Sequence, residues 1–417
     1  MEEQQAENLP LRPIDGPRSA LDDIVRRGAQ QVLQAALEME VEEFLARHQE
    51  IRDQRGQRQI VRNGYLPERS ILTGAGPLHV DQPRVRDKRP AATAERVTFT
   101  SSILPPYLRR SKSLDELIPW LYLKGISTGD FSEALQALVG PQARGLSANV
   151  VVKLLEQWQR EYGAWQQREL LGKQYVYLWV DGIYVNVRLT GERQCFLVVM
   201  GATADGKKEL VAVQDGIRED KQSWHELLVD LKHRGLTQPP KLVVGDGALG
   251  FWKAVEEVWP EVRQQRCWMH KAGNVLSKLP KSLQPQAKHD LQAIWLAETK
   301  QQAEKAFTTF LEKYAAKYPK ATDCLAKDRE ALLTFYDFPA EHWSHLRTTN
   351  PIESTFSTIR HRHRRTKGNG TAQACRAMIF KLAQSAERHW RRLNKHELIL
   401  PVLQGKKFID GLLQDAA

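Results

Sequence analysis

Tyr175-Val176-Tyr177-Leu178-Trp179-Val180-Asp181-Gly182-Ile183 opens the part of the chain whose texture decides the fold. β-Branched and aromatic residues crowd Tyr175 to Val180, Ile183 to Leu189, Cys195 to Ala202 and Leu210 to Val213, with short turn-rich breaks between them. A helix-forming segment follows from Ser223 to Arg234, then a short apolar strand from Lys241 to Val244 ending in Gly245-Asp246-Gly247, then a helix from Phe251 to Val258. Several adjacent strands, then helix, strand and helix, predict an α/β layer with a mixed sheet.

Each Asp-Gly pair in this region has two readings. After an apolar strand Asp-Gly signals a hairpin turn, and at Asp181-Gly182, with strand-like sequence on both sides, that reading is as good as a functional one. Asp246 differs because a helix follows, which puts the aspartate at the carboxyl end of a strand, where open α/β sheets bind their ligands. Glycine beside an aspartate also lets a metal and a phosphate backbone come close.

Downstream, residues 282 to 345 read as helical throughout, with Phe307, Phe310, Leu311 and Tyr314 marking one apolar face, and this block interrupts the α/β texture. The texture returns at Thr348-Thr349-Asn350-Pro351-Ile352-Glu353-Ser354 and in two helices over 352 to 366 and 371 to 393. Asn350 is a good N-cap, Pro351 suits the first helical position, and Glu353 then falls where a capping box needs it. Ile352, Phe356 and Ile359 face a core at helical spacing, while Glu353, Ser357, Arg360, Arg364 and Lys367 run down a neighbouring face. A carboxylate followed by a line of cations suits a metal beside a phosphate backbone, so Glu353 is read as completing a metal-binding set with Asp181 and Asp246. The five cations between Arg360 and Lys367 are compatible with a solvated face, but the apolar spacing argues for a helix docked on one side with nucleic acid on the other. Cys267-Trp268-Met269-His270 has half the spacing of a zinc site, yet no second Cys or His pair lies nearby, so these residues are expected to buttress the core rather than to ligate metal. Trp268, Trp295 and Trp343 are expected in the core.

Upstream, residues 1 to 20 are expected to form a mobile tail. A helix from Leu21 to about His48 follows, apolar at Ile24, Val32, Leu33, Ala36 and Leu37, and suited to oligomerisation. Ser70 to Thr73 and Leu78 to Asp81 read as a hairpin about Gly74-Ala75-Gly76-Pro77. Between Leu114 and Leu170 short helices, capped by Ser127 or Thr128 and by Ser147, are open to two readings: a helix-turn-helix or an ordinary helical hairpin.

The 417 residues, 41% apolar, allow two to four globular domains, and four scattered cysteines give no disulfide framework. The start of the chain carries no apolar signal region, and no apolar run approaches a membrane span, so the expected location is the cytoplasm, beside the nucleoid. A formal charge of +11, concentrated locally, favours nucleic acid as partner.

Taken in order, Tyr177-Leu178-Trp179-Val180-Asp181-Gly182, Val244-Gly245-Asp246-Gly247, Cys267-Trp268-Met269-His270 and Arg347-Thr348-Thr349-Asn350-Pro351-Ile352-Glu353 resemble the Mutator-like branch of bacterial insertion-sequence transposases. The resemblance spans roughly residues 20 to 395 and includes Arg62-Asn63-Gly64-Tyr65 and Gly125-Ile126-Ser127-Thr128. It implies a ribonuclease-H-like mixed-sheet catalytic core, an all-helical insertion before the last acid, and a catalytic acidic triad matching Asp181, Asp246 and Glu353. Expected segments are an N-terminal dimerisation or DNA-contact region (21 to 112), a helix-turn-helix-like region (113 to 172), the core (173 to 270 and 350 to 395), the insertion (271 to 349) and a tail (396 to 417).

Two Mg²⁺ ions, with Mn²⁺ an acceptable substitute, are the implied cofactors; Asp181 is assigned to both ions, and Asp246 and Glu353 to one each. Arg347, Arg360, Arg362, Arg364 and Lys367 are the candidate phosphate contacts. The implied partners are DNA, as terminal inverted repeats and target, and a second copy in a homodimer. A structure-selective nuclease and a non-catalytic DNA-binding regulator are the competing functions.

Overall fold

The computed structural model describes residues 20–90, 96–126, 130–139, 148–189, 191, 193–216, 218–247, 249–365 and 370–414. It divides into two compact units, Met1–Val152 and Lys153–Ala417.

In the first unit, helix α1 (Ala20–Arg47) precedes strands β1 (Ile60–Tyr65), β2 (Arg69–Thr73), β3 (Gly76–Val80) and β4 (Pro83–Asp87). The expected hairpin is present as β2 paired antiparallel with β3, Thr73 opposite Gly76, while β1 pairs with β4. Leu33 and Leu37 of α1 pack with Ile71, Val80 and Leu104. Helices α2 (Lys112–Leu123) and α3 (Phe131–Val139) join through Leu114, Leu135 and Val139. The caps expected at Ser127, Thr128 and Ser147 lie outside the described residues. Helix α4 (Ala148–Gln166) leads into the second unit.

That unit is built on a five-stranded mixed sheet of β5 (Tyr175–Asn186), β6 (Arg193–Thr203), β7 (Lys208–Gly216), β8 (Leu242–Gly245) and β9 (Arg263–Arg266), in the order β7-β6-β5-β8-β9. The first three form an antiparallel meander, and β8 and β9 add parallel to β5. Helices α5 (Lys221–His233) and α6 (Leu249–Val258) make the crossovers and cover one face. There Trp224, Leu227, Leu228, Phe251 and Trp252 meet Leu178, Val180, Leu197 and Val199, each fully buried aliphatic stabilising by roughly 1.5–3 kcal/mol. On alternate positions of β5, Tyr177 and Trp179 turn to the other face, where they hydrogen-bond the His342 ring and the His345 carbonyl.

The hairpin reading of Asp181-Gly182 does not hold. Strand β5 runs unbroken through both residues, Asp181 opposite Val198 and Gly182 opposite Leu197.

Between β9 and the last helices lie α7 (Trp268–Leu276), α8 (Gln284–Trp295), α9 (Lys300–Ala315), α10 (Pro319–Ala326), α11 (Arg329–Leu333) and α12 (Trp343–Leu346), the helical block that the sequence predicts. Phe307, Phe310 and Tyr314 are buried in it. Trp268 is fully buried and packs on Trp295 with ring centroids 5.1 Å apart, as core residues do. The chain then returns to the sheet through α13 (Asn350–Arg365) and α14 (Ala372–Glu387). Among the described residues no helix is long and apolar enough to cross a membrane.

Candidate functional site

The sheet register brings the two aspartates together. Trp179 on β5 is level with Val244 on β8, so two residues further along each parallel strand Asp181 stands beside Asp246. One strand over, Gly245 is level with Arg266, and the Cys267 amide donates to the Gly245 carbonyl at 2.8 Å. Helix α7 starts immediately afterwards and carries His270 to the same end of the sheet.

Glu353 arrives by a different route. The Trp268 amide donates to the Arg347 carbonyl at 2.9 Å, and the Thr349 amide and hydroxyl both donate to Cys267 Sγ at 3.3 Å. These bonds fasten the lead-in of α13 to the end of β9. The helix begins one residue earlier than the capping-box reading requires: the Ile352 and Glu353 amides donate to the Thr349 carbonyl, so Thr349 rather than Asn350 takes the cap position. Its one hydroxyl proton has a second acceptor in Glu353 Oε1, at 3.0 Å, to which it can donate instead of to Cys267 Sγ, and His270 Nε2 lies 3.3 Å from the same carboxylate oxygen. The residue read as a box partner is therefore held by Thr349 and His270, and it groups with Cys267 and His270 rather than directly with the two aspartates.

A fourth acid, which the sequence reading did not single out, stands in the site. Glu219 lies between the end of β7 and α5, where Asp220 caps the helix by accepting from the Ser223 amide at 2.8 Å. Asp181, Glu219 and Asp246 each offer a carboxylate oxygen, all within 4.8 Å of one another. Cys267, His270 and Glu353 form a second group, whose ligand atoms also lie within 4.8 Å of one another. Gly182 makes the first group feasible, since a Cβ there would lie 2.3 Å from Glu219 Oε1. Gly250 does the same from behind, where a Cβ would lie 2.6 Å from the Glu219 carbonyl. The only advance signals of Glu219 were an acid just before a helix and a glycine inside a buried strand.

The two groups differ electrically. Burial first, then Asp246 and Glu219, push the Asp181 carboxyl up to about 7; burial and Asp246 push Glu219 up to about 7, against a hydrogen bond from Tyr184. In the second group the hydrogen bond with Cys267 raises His270 to about 9 despite burial, with Cys267, Asp181 and Glu353 adding attraction. For Cys267 burial pushes the thiol up, but the bonds with His270 and Thr349 outweigh it and lower it overall.

The candidate phosphate contacts separate into two kinds. Arg360 and Arg364 are exposed on α13. Arg347 is held inside, its guanidinium bonded to the Trp295 carbonyl and lying over the Phe335 ring, and Arg362 is only 3% exposed. Lys367 lies outside the described residues. The neighbouring His363 accepts from the Asn186 amide at 2.8 Å, which docks α13 on the far end of β5.

The family model described as transposase, Mutator family, matches residues 4–393. The chain is 50% identical over 300 residues to the transposase for insertion sequence element IS6120 of Mycolicibacterium smegmatis, the match covering 72% of this chain and 92% of that one. It is also 50% identical over 287 residues to the transposase for insertion sequence element IST2 of Acidithiobacillus ferrooxidans, covering 67% and 95%. Over 379 residues, 90% of each chain, it is 27% identical to the transposase for insertion sequence element ISRM5 of Rhizobium meliloti (strain 1021).

Proposed function

The chain belongs to the Mutator family of transposases, DNA strand-cleaving enzymes of the DDE type from bacterial insertion sequences, and from that premise we propose that Asp181, Asp246 and Glu353 are its triad. Glu219 stands with them as a fourth carboxylate. The observation that carries this reading is the crowding of Asp181, Glu219 and Asp246 at one end of the sheet, where burial first, and then repulsion from neighbouring carboxylates, holds Asp181 and Glu219 near 7. A divalent cation relieves that repulsion, and an all-oxygen set of carboxylates suits Mg²⁺, or Mn²⁺, rather than a softer metal.

Asp181, in the middle of the sheet, would hold such ions together with Asp246, Glu219 and Glu353. Bound Mg²⁺ supplies charge neutralisation at the scissile phosphate and lowers the pKa of an attacking water or 3′-hydroxyl. The protein's own part is positional. Strands β5 and β8 fix the two aspartates through their register, Gly182 and Gly250 make room for Glu219, and Thr349 and His270 aim Glu353. His270 also balances the negative charge of the carboxylates from the α7 side.

The strand order supports a ribonuclease-H-like core: an antiparallel meander, two parallel additions, acids on the first and fourth strands, and a helical insertion before the last acid. The substrates on this reading are the terminal inverted repeats of an insertion sequence and a target DNA, and the reaction is cleavage at the repeat ends followed by joining of a 3′-hydroxyl. Exposed Arg360 and Arg364 hold phosphates beside Glu353. A homodimer brings two ends together. Its seam is α1, where Val25, Val32 and Met39 are exposed and recur every seven residues, the interval of a coiled coil.

The test is incubation of repeat-end DNA with the protein and Mg²⁺, beside Asp246→Ala. Nicks at the ends and joined products from the parent alone support the proposal. Nicks without joining point to a nuclease, and tight metal-independent binding with no cut in either protein points to a regulator.

A further inference from the structure

Beside Asp246 the chain forms a second feature that the carboxylates do not explain. A groove of about 510 Å³ runs from Gly247 between α7 and α10, and Arg266, Lys271, Asn274, Lys278, Lys320 and Lys327 line it. Five cations face into it, against Asp323 on its wall and Asp328 behind it. We propose that this groove holds the phosphodiester backbone of the DNA strand that leaves the reacting phosphate, an inference that rests on Asp246 belonging to the catalytic set.

The head of the groove is built rather than incidental. Arg266 and Lys271 are each 5% exposed and share the single carboxylate of Asp328. Among the described residues the groove gathers five cations against Asp323 and Asp328, and such an excess of positive charge, part of it buried, favours an anion. Arg266 also donates to the Asp246 carbonyl at 2.6 Å, so the same side chain braces the catalytic loop and forms the groove floor. Gly247 lies between them. A Cβ there would stand 3.4 Å from the Arg266 guanidinium and 4.0 Å from the Asn274 amide. Without one, a backbone passing Asp246 has an open way in.

Two helices then continue the path. Asn274 and Lys278 follow Lys271 at three and seven residues along α7 and just past its end, and Lys327, the residue just past the end of α10, follows Lys320 at seven. Spacings of three, four and seven put residues on one helix face, so each wall presents a row rather than scattered charges. Lys278, Lys320 and Lys327 are exposed, as contacts to a solvated phosphate chain should be. A continuous row beside the reaction centre fits a polyanion better than a single phosphate ion.

The experiment is fluorescence anisotropy of repeat-end duplex DNA with the full chain across a salt series. The variants are Lys278→Gln/Lys320→Gln/Lys327→Gln and a matched control, Lys288→Gln/Lys305→Gln/Lys317→Gln, made at exposed lysines outside the groove. In duplex DNA each phosphate contact contributes about 0.9 to the slope of log K against log salt, so the groove variant should lose about 2 to 3 from that slope and on the order of tenfold in affinity at 0.15 M salt. The control should keep the parent slope. Equal losses in both variants, or none in either, overturn the proposal. Full competition by inorganic phosphate at fixed ionic strength would reassign the groove to a small anion.

Cys324 lines the groove, whereas Cys195, Cys267 and Cys375 are buried. DNA carrying a disulfide tether on a phosphate next to the cleavage site should therefore crosslink to the parent and not to Cys324→Ser. Absence of that crosslink in DNA that is bound overturns the groove and leaves the transposase reading intact. Failure of the parent to bind repeat-end DNA at all overturns both.

Discussion

Two triplets of side chains, each with its ligand atoms within 4.8 Å of one another, lie at the end of the sheet, and their energetics are opposite. Asp181, Glu219 and Asp246 are like charges pressed within 4.8 Å. Cys267, His270 and Glu353 lie within the same limit but satisfy one another, thiol to imidazole and imidazole to carboxylate, with the Thr349 amide donating to Cys267 and its hydroxyl to Glu353. The contrast separates a set whose members repel one another from a set whose members hold one another and steady Glu353. Function is therefore expected to depend steeply on the first triplet and, in the second, steeply only on Glu353, which the other members hold in place.

The sharpest break in that comparison is in strand cleavage. Asp181→Ala and Asp246→Ala should each lower the single-turnover rate on repeat-end DNA by at least roughly 10³-fold, equivalent to about 4 kcal/mol of barrier. Cys267→Ser, which keeps a small polar group but weakens the hold on His270, should cost only about 10- to 100-fold, the range for groups that orient a metal ligand. A loss at Cys267 as large as at Asp181 would place the thiol in the reacting set instead.

Gly182→Ala tests the first triplet through its packing. The added methyl would overlap Glu219 Oε1, at 2.3 Å, so it should displace the carboxylate and weaken Mn²⁺ binding, read by isothermal calorimetry, by on the order of tenfold. In the Glu219→Ala background the same substitution should add almost nothing, because neighbouring residues that act through one contact are not additive. Full additivity would mean that the glycine serves the strand and not the acid.

These residues also mark how far the sequence could be read. Asp246 was legible because a strand, an acid and a helix follow one another there, and Glu353 because a cap and an apolar stripe place it at a helix start. Asp181 was half legible: Asp-Gly has a strong turn signal, and only the pairing of Asp181 with Val198 shows the strand continuing through it. The glycine is there for Glu219, a partner 37 residues later in the chain, and local pattern carries no trace of a tertiary contact at that range. Cys267 and His270 were visible as a spacing, but their role depends on Thr349 and Glu353, which reach them only after the helical block has folded back. The helical spacing that puts Arg360 and Arg364 on one face agrees with their exposure, whereas Arg362, a phosphate-contact candidate from the same run but off that face, is turned inward.

The smallest effect concerns stability of the metal-free protein, and it separates the triplets by pH. Asp181 and Glu219 titrate near 7 in the folded chain, against 3.8 and 4.5 when exposed. Folding thus favours their protonated forms, and their contribution is fully present below about pH 4 and lost as pH rises through 7. His270 titrates near 9 against 6.5, so its contribution is intact below about 6.5 and is lost as pH rises through 9. Metal-free stability should therefore fall in two stages between pH 4 and pH 9. Asp181→Asn removes part of the first stage only, raising the thermal midpoint at pH 8 by several degrees, roughly 2–4 °C for each kcal/mol relieved, and changing little at pH 4. Cys267→Ser flattens the second stage and leaves the first. Mg²⁺ should stabilise the parent more at pH 8 than at pH 5, and stabilise Asp181→Asn less than the parent at both. If Asp181→Asn proves less stable than the parent at pH 8 without metal, the first triplet is not strained, and the distinction between the two sets fails.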